Sequence, residues 1–225
     1  MSPWPDWQAG PYASFMGGLL PLVDDQPFEP LPQLLQPTRL DVMLIDIYGP
    51  DLMPSQKPVL VSQWAKYYFM HWLPAMLVSQ LAYGWYLPLA LDEIGMVLDE
   101  RGLPKAIVLL HAGEPGAADE SLEPWVQANL RPFIEQLSAY GEVPPAVLWG
   151  NAGDYLELNV RRLQALGLNV APAQALLESR RSADGRINPL YAPVRYKADG
   201  ARQRRACCLA YKVEWVGHCE HCPLA

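Results

Sequence analysis

The first 206 residues contain no cysteine, which excludes a disulfide-stapled scaffold for most of the chain and leaves the fold to apolar burial. Basic charge is also short: 17 Lys and Arg face 24 Asp and Glu, a formal net charge of −7. Neutralising phosphates needs a basic surface, so a general nucleic-acid binder is excluded, although a local basic patch is not. The N-terminus, Met1-Ser2-Pro3-Trp4-Pro5-Asp6, lacks a basic start followed by an apolar run, so no secretory signal is read there. Long uninterrupted apolar runs are missing too. The richest stretch, Val59 to Val78, is broken by Gln63, Lys66, His71 and Pro74, of which the polar ones are costly in lipid; it predicts a buried helix and no membrane span. Internal repeats and low-complexity tracts are absent. A cytoplasmic address is the expectation.

What is present is the composition of an ordinary folded protein: 225 residues, 51% hydrophobic and 18% charged, with eight Trp, eleven Tyr and four Phe to fill a core. Eleven of the 23 prolines fall within the first 58 residues. Such punctuation predicts a segment, 1–54, that drapes over the rest with one short strand or helix near Leu40–Ile45. Ser55 is placed to cap one or two core helices running to Tyr83, with Pro58 in the first turn and Pro74 as a kink. Ile94–Leu98 and Ala106–His111, joined by Asp99-Glu100-Arg101-Gly102, read as antiparallel strands. A helix is expected from Ser121 to Gly141 and a second from about Ala146 to Leu166, ended by Gly167. Asp199-Gly200 then marks a hairpin between Val194–Lys197 and Arg202–Arg205 that delivers the chain to Cys207. The fold class read from this order is α+β, mainly helical with small antiparallel sheets. Its parts are the segment 1–54, a core over 55–187 and a hairpin-anchored cysteine module over 188–225.

All four cysteines lie in the last nineteen residues, as Cys207-Cys208, ten residues, then Cys219-Glu220-His221-Cys222. Four thiolates match the shell of a [2Fe–2S] cluster, which needs two sulfurs on each iron. A structural zinc also accepts four cysteines, but usually from two Cys-x2–4-Cys knuckles, and here adjacent cysteines replace one of them. Adjacent side chains tend to point apart, which suits two irons better than one ion unless the backbone turns. A Cys207–Cys208 disulfide would close a strained ring.

The terminal module resembles that of the FhuF family of ferric-siderophore reductases, whose members carry vicinal cysteines at the extreme C-terminus. Asn188-Pro189-Leu190, Arg204-Arg205-Ala206-Cys207-Cys208 and Cys219-Glu220-His221-Cys222-Pro223-Leu224 all look like the family's closing segment. Lys57-Pro58-Val59-Leu60-Val61-Ser62-Gln63-Trp64-Ala65 resembles its central helix, and Leu148-Trp149-Gly150-Asn151 its Trp-x-Asn segment. The likeness runs from about residue 55 to the end and leaves the first 55 residues unmatched. It implies that Cys207, Cys208, Cys219 and Cys222 hold a [2Fe–2S] cluster and that the activity is reduction of siderophore-bound Fe(III), typically of hydroxamate type. It also implies an electron donor such as a ferredoxin or a reductase.

Reduction alone releases the metal, because hydroxamate oxygens hold Fe(III) far better than Fe(II), so no catalytic triad is sought. Arg202, Arg204, Arg205 and Lys212 place positive charge near the cysteines, as a patch for an anionic partner or as a solvated strand face. Trp149 and Asn151 are candidates for a substrate cleft on the family likeness alone. His218 and His221 could replace a cysteine, as imidazole does in Rieske centres, but with four cysteines present they read as neighbours. His71 and His111 read as satisfied core residues, as do Trp64, Tyr67, Tyr68 and Trp72, and Trp215 as packing beside the cysteines. A zinc-stabilised binding protein and an iron–sulfur redox sensor remain the alternatives.

Overall fold

Pro37 starts a helix instead of preventing one. Its missing N–H falls at the first helical position, where no intrahelical partner exists, and helix α1 (Pro37–Tyr48) runs on to Gly49. The structure, a computed structural model, describes residues 5–7, 10–23, 26–214 and 216–225. Leu40, Met43 and Leu44 of α1 recur at helical spacing and are at most 1% exposed. With Leu31 and Leu34 of the short helix Leu31–Leu34, they belong to the main apolar core, so the proline-rich segment supplies part of the core it was expected to drape over. Tyr140 Oη fastens it further by donating to Asp41 Oδ1 at 2.6 Å. Tyr140→Phe is accordingly expected to lower the unfolding free energy by about 1.5 kcal/mol in a urea titration, as for other hydrogen bonds to a charged group.

Helix α2 (Met53–Tyr83) is the central element and contains both Pro58 and Pro74. It begins at Met53, directly after a 3-10 turn over Pro50–Leu52, so Ser55 lies inside the helix and not at its cap. Every residue from Leu73 to Leu81 is buried; a helix buried on all sides has neighbours on all sides. Trp64, Tyr68 and Trp72 are fully buried, as expected for core residues, whereas Tyr67 is only half-buried. Among the described residues no helix is long and apolar enough to cross a membrane.

Around α2 lie a small sheet and three further helices. The sheet comprises β1 (Leu19–Pro21), β2 (Glu29–Pro30), β3 (Ile94–Leu98) and β4 (Pro104–Leu109), in the order β1-β4-β3-β2. The expected antiparallel pair is β3 and β4, with Met96 opposite Ile107, and β1 adds a parallel edge with Leu19 opposite Ile107. The helix expected from Ser121 is an α-turn (Glu123–Trp125), a π segment (Val126–Leu130) and α3 (Arg131–Gly141). Within the π segment, buried Asn129 accepts from Tyr68 Oη at 2.8 Å. Helix α4 (Pro145–Ala165) matches the expected second helix and packs along α2. A short α5 (Ala171–Glu178) follows, and then the hairpin β5 (Val194–Tyr196) and β6 (Arg202–Arg204). The whole is an α+β fold, mainly helical.

Candidate metal centre

Two glycines make α4 a seat for the C-terminal module. A Cβ on Gly150 would stand 2.4 Å from Ala206 Cβ, and one on Gly153 would stand 2.5 Å from Pro193 Cβ. The hairpin and the residues leading into Cys207 therefore rest directly on helix backbone. Asn151, between these glycines and fully buried, ties three elements together. Its Nδ2 donates to the Ser62 carbonyl and to Ser62 Oγ, both at 3.0 Å, and its Oδ1 accepts from Arg204 Nη2. Ser62 Oγ in turn donates to the Cys208 carbonyl at 2.9 Å, and Gln63 Nε2 donates to the same oxygen at 2.8 Å. The vicinal cysteines are thus pinned to the N-terminal third of α2.

The second pair is held from the hairpin. Arg204 N donates to the His221 carbonyl at 2.9 Å, and Gln203 Nε2 donates to the Cys222 carbonyl at 3.1 Å. Leu209 turns the chain after the first pair with a φ of +65°, a left-handed conformation unfavourable for a branched residue. In that conformation its N–H donates back to Cys207 Sγ at 3.3 Å, and Leu224 N–H does the same for Cys222 Sγ at 3.4 Å.

All four cysteines are free thiols, with Cys208 and Cys222 buried and Cys207 and Cys219 half-buried. Cys208 Sγ lies 3.6 Å from Cys219 Sγ, far beyond a disulfide and close to the roughly 3.7 Å that separates two thiolates sharing one tetrahedral metal with bonds of about 2.3 Å. Cys208 is held well below the usual thiol range, first by the bond it shares with Cys219 and then by the positive charges of Lys66 and Arg204, while the same shared bond pushes Cys219 up. Arg204 is 3% exposed, and its Nε has no hydrogen-bond partner among the described residues. Four thiols, two N–H groups directed at sulfur, two nearby cations and one orphaned guanidinium N–H fit an anionic, thiolate-ligated group. Among the described residues no three His, Cys, Asp or Glu side chains are gathered around one point.

The basic residues divide. Arg205 and Lys212 are exposed, but Arg202 and Arg204 leave the proposed patch. Arg202, with its side chain 7% exposed, reaches Asp154 at 2.6 Å and Glu157 at 2.7 Å. Burial alone would lower the Arg202 pKa, but these two carboxylates outweigh it and raise it. Arg204 sits 3.7 Å from Asp154. Neither is a solvated strand face: α4 presents carboxylates where the hairpin lands. Trp149, 7% exposed, packs in the core under Arg131, and Asn151 is the buried bridge just described. His218 stacks on Tyr211, and the His221 ring is 3.8 Å from Glu220. His71, half-buried, meets the Pro104 carbonyl at 3.0 Å. His111 is not a core residue: its side chain is 55% exposed and paired with Glu93 at 2.8 Å. Trp215 lies outside the described residues.

Sequence reasoning missed Ser62, Gln63 and Lys66, and the partners Asp154 and Glu157. A signal existed for the last two: Asn151, Asp154 and Glu157 recur every third residue through residues 147–158, where the other residues are apolar except Tyr155, and such a polar stripe must meet a polar partner.

Comparison with known proteins agrees with this geometry. Residues 62–204 match the family model described as ferric iron reductase FhuF-like transporter, and residues 204–224, which include all four cysteines, match the FhuF 2Fe-2S C-terminal domain. A ferric siderophore reductase of Escherichia coli strain K12 is 25% identical over 183 residues, covering 78% of this chain and 69% of that protein. The chain belongs to the FhuF family of iron–sulfur oxidoreductases, and the thiol cradle clamped between α2 and the hairpin is its [2Fe–2S] domain.

Proposed function

We propose that the chain reduces Fe(III) held by a siderophore, one electron at a time, with Cys207, Cys208, Cys219 and Cys222 as the four cluster ligands. The observation that carries this reading is the thiol pair 3.6 Å apart, under the positive charges of Lys66 and Arg204, in a module fixed to the protein's central helix. When bound, a [2Fe–2S] cluster supplies single electrons at a potential set by its surroundings. Lys66 and Arg204 stabilise the negative charge that a stored electron adds, and the Ser62, Gln63 and Gln203 bonds hold the ligand backbone in place. The electron passes to Fe(III), Fe(II) is the product, and hard hydroxamate oxygens then release it, here assigned to the cytoplasm. Arg205 and Lys212 are the exposed cations left to attract an acidic electron donor such as a ferredoxin.

Anaerobically purified protein is expected to be red-brown, with about two irons and two acid-labile sulfides per chain. After dithionite reduction it should be reoxidised by a ferric trihydroxamate, with Fe(II) appearing on a ferrous chelator, and not by the gallium(III) complex. Stoichiometric zinc without sulfide would replace this reading by a structural one. A cluster that no ferric chelate reoxidises would leave a redox sensor.

A further inference from the structure

A cleft of about 580 Å³ opens beside the cysteine module, within the range of small-molecule sites. Its wall is continuous with the cluster cradle: Lys66 Nζ donates to Gln63 Oε1 at 2.7 Å, and Gln63 donates to the Cys208 carbonyl at 2.8 Å. Val216, between the two cysteine pairs, closes one side. Lys66 and Arg101 bring two positive charges, and among the described residues no carboxylate lines the cleft. Tyr48, Tyr67 and Tyr155 contribute ring faces and phenol groups. Burial raises the pKa of Tyr48 and Tyr155, so both remain protonated and can donate to anionic oxygen. Met70 and Leu103 add apolar surface suited to methylene chains.

Two other concavities differ in the features that matter. A cleft of about 460 Å³ near Met76 and Gln80 is lined by Glu93, Glu114 and Glu120; those charges repel an anion, and Gln80 lies about 20 Å further along α2 than Lys66. A third, of about 500 Å³, is formed by Arg195, Arg204, Arg205 and Pro223 and has charge but no aromatic wall.

We propose that the cleft between α2, Arg101 and Tyr155 seats the ferric chelate, and that Lys66 and Arg101 make it select neutral or anionic chelates over cationic ones. This rests on the reductase reading and adds the substrate's place and charge class. The metal-bound oxygens would face Lys66 and the phenols, one side chain away from Cys208, and the organic chain would lie on Met70 and Leu103.

The test separates binding from reduction. Cluster-loaded protein is titrated calorimetrically with gallium(III) complexes of desferrioxamine B whose terminal amine is free, acetylated or succinylated: one chelate, three net charges, no electron acceptor. The succinylated complex is expected to bind tightest and the free amine weakest, with about tenfold per unit charge as the order of the effect. Arg101→Glu, far from the cysteines in sequence and on an exposed turn, leaves Lys66 opposed by one carboxylate and should flatten that order without altering the cluster spectrum. Arg195→Glu, at the arginine concavity, should bind as the wild type does. Equal affinities for the three complexes, an unchanged order in Arg101→Glu, or a loss confined to Arg195→Glu would each overturn the proposal. Reoxidation of the reduced wild type by the corresponding ferric complexes is followed in parallel. Failure there overturns the reductase reading, whereas success there with charge-blind binding overturns only the cleft.

Discussion

Replacing Cys208 by serine is expected to give a folded protein that has lost the visible absorbance and most of its iron. Cys208 is the most constrained of the four thiols: it is 1% exposed, its carbonyl accepts from both Ser62 and Gln63, and its sulfur is 3.6 Å from Cys219. A serine oxygen sits closer to its Cβ and is a harder donor, so it fits neither the spacing nor the preference of the iron for thiolate. Serine at Cys207, Cys219 or Cys222 is expected to act in the same direction, and His221→Ala to retain the cluster. The fold survives because the apolar core, which runs from Trp7 to Leu190, contains none of the four cysteines. Absorbance, iron and sulfide content and a thermal melt on each variant make the check. An intact cluster in any serine variant would remove that residue from the ligand set, and global unfolding of all four would make the module structural.

The cysteine module was legible in the sequence because its information is local. Four cysteines within sixteen residues and an Asp199-Gly200 turn before them need no knowledge of the rest of the chain, and Gly200 adopts the φ of +81° that such a turn requires. Helix α4 and the β3–β4 pair were readable for the same reason, since hydrophobic period and stop signals are contained in a short window. The supports of the site were not, because each joins residues far apart: Ser62 to Cys208 across 146 positions, Arg204 to Asn151 across 53 and Arg202 to Asp154 across 48. A charged residue next to a cysteine looks like surface until the carboxylate that buries it is known. The proline-rich start was misjudged on a different point. Pro37 stands at the first position of a helix, where it helps, and counting prolines does not reveal which of them stand there. The substrate-facing expectation for Trp149 and Asn151 came from likeness alone, and both residues are buried.

The division of the basic residues predicts opposite consequences for Arg202 and Arg205, three positions apart. Arg202→Met should lower the unfolding free energy by roughly 3–5 kcal/mol, the usual cost of removing one partner from a buried ion pair. Asp154 and Glu157, with side chains 17% and 10% exposed, would be left facing an apolar chain. Tyr196 Oη would still donate to Glu157, and Arg204 would still lie 3.7 Å from Asp154, so the loss should fall short of complete unfolding. Arg205→Ala, on an exposed side chain, should change stability by less than about 0.5 kcal/mol. Its effect belongs to kinetics: slower reduction by an acidic donor at low ionic strength, with the difference disappearing as salt screens the charge. Urea titrations of both variants, beside stopped-flow reduction at two ionic strengths, separate the two roles. An Arg202→Met protein as stable as the wild type, but slower with its donor, would return Arg202 to the surface patch. It would also mean that α4 does not hold the hairpin through Asp154 and Glu157, and the seat beneath the cysteines would then depend on Asn151 and the two glycines.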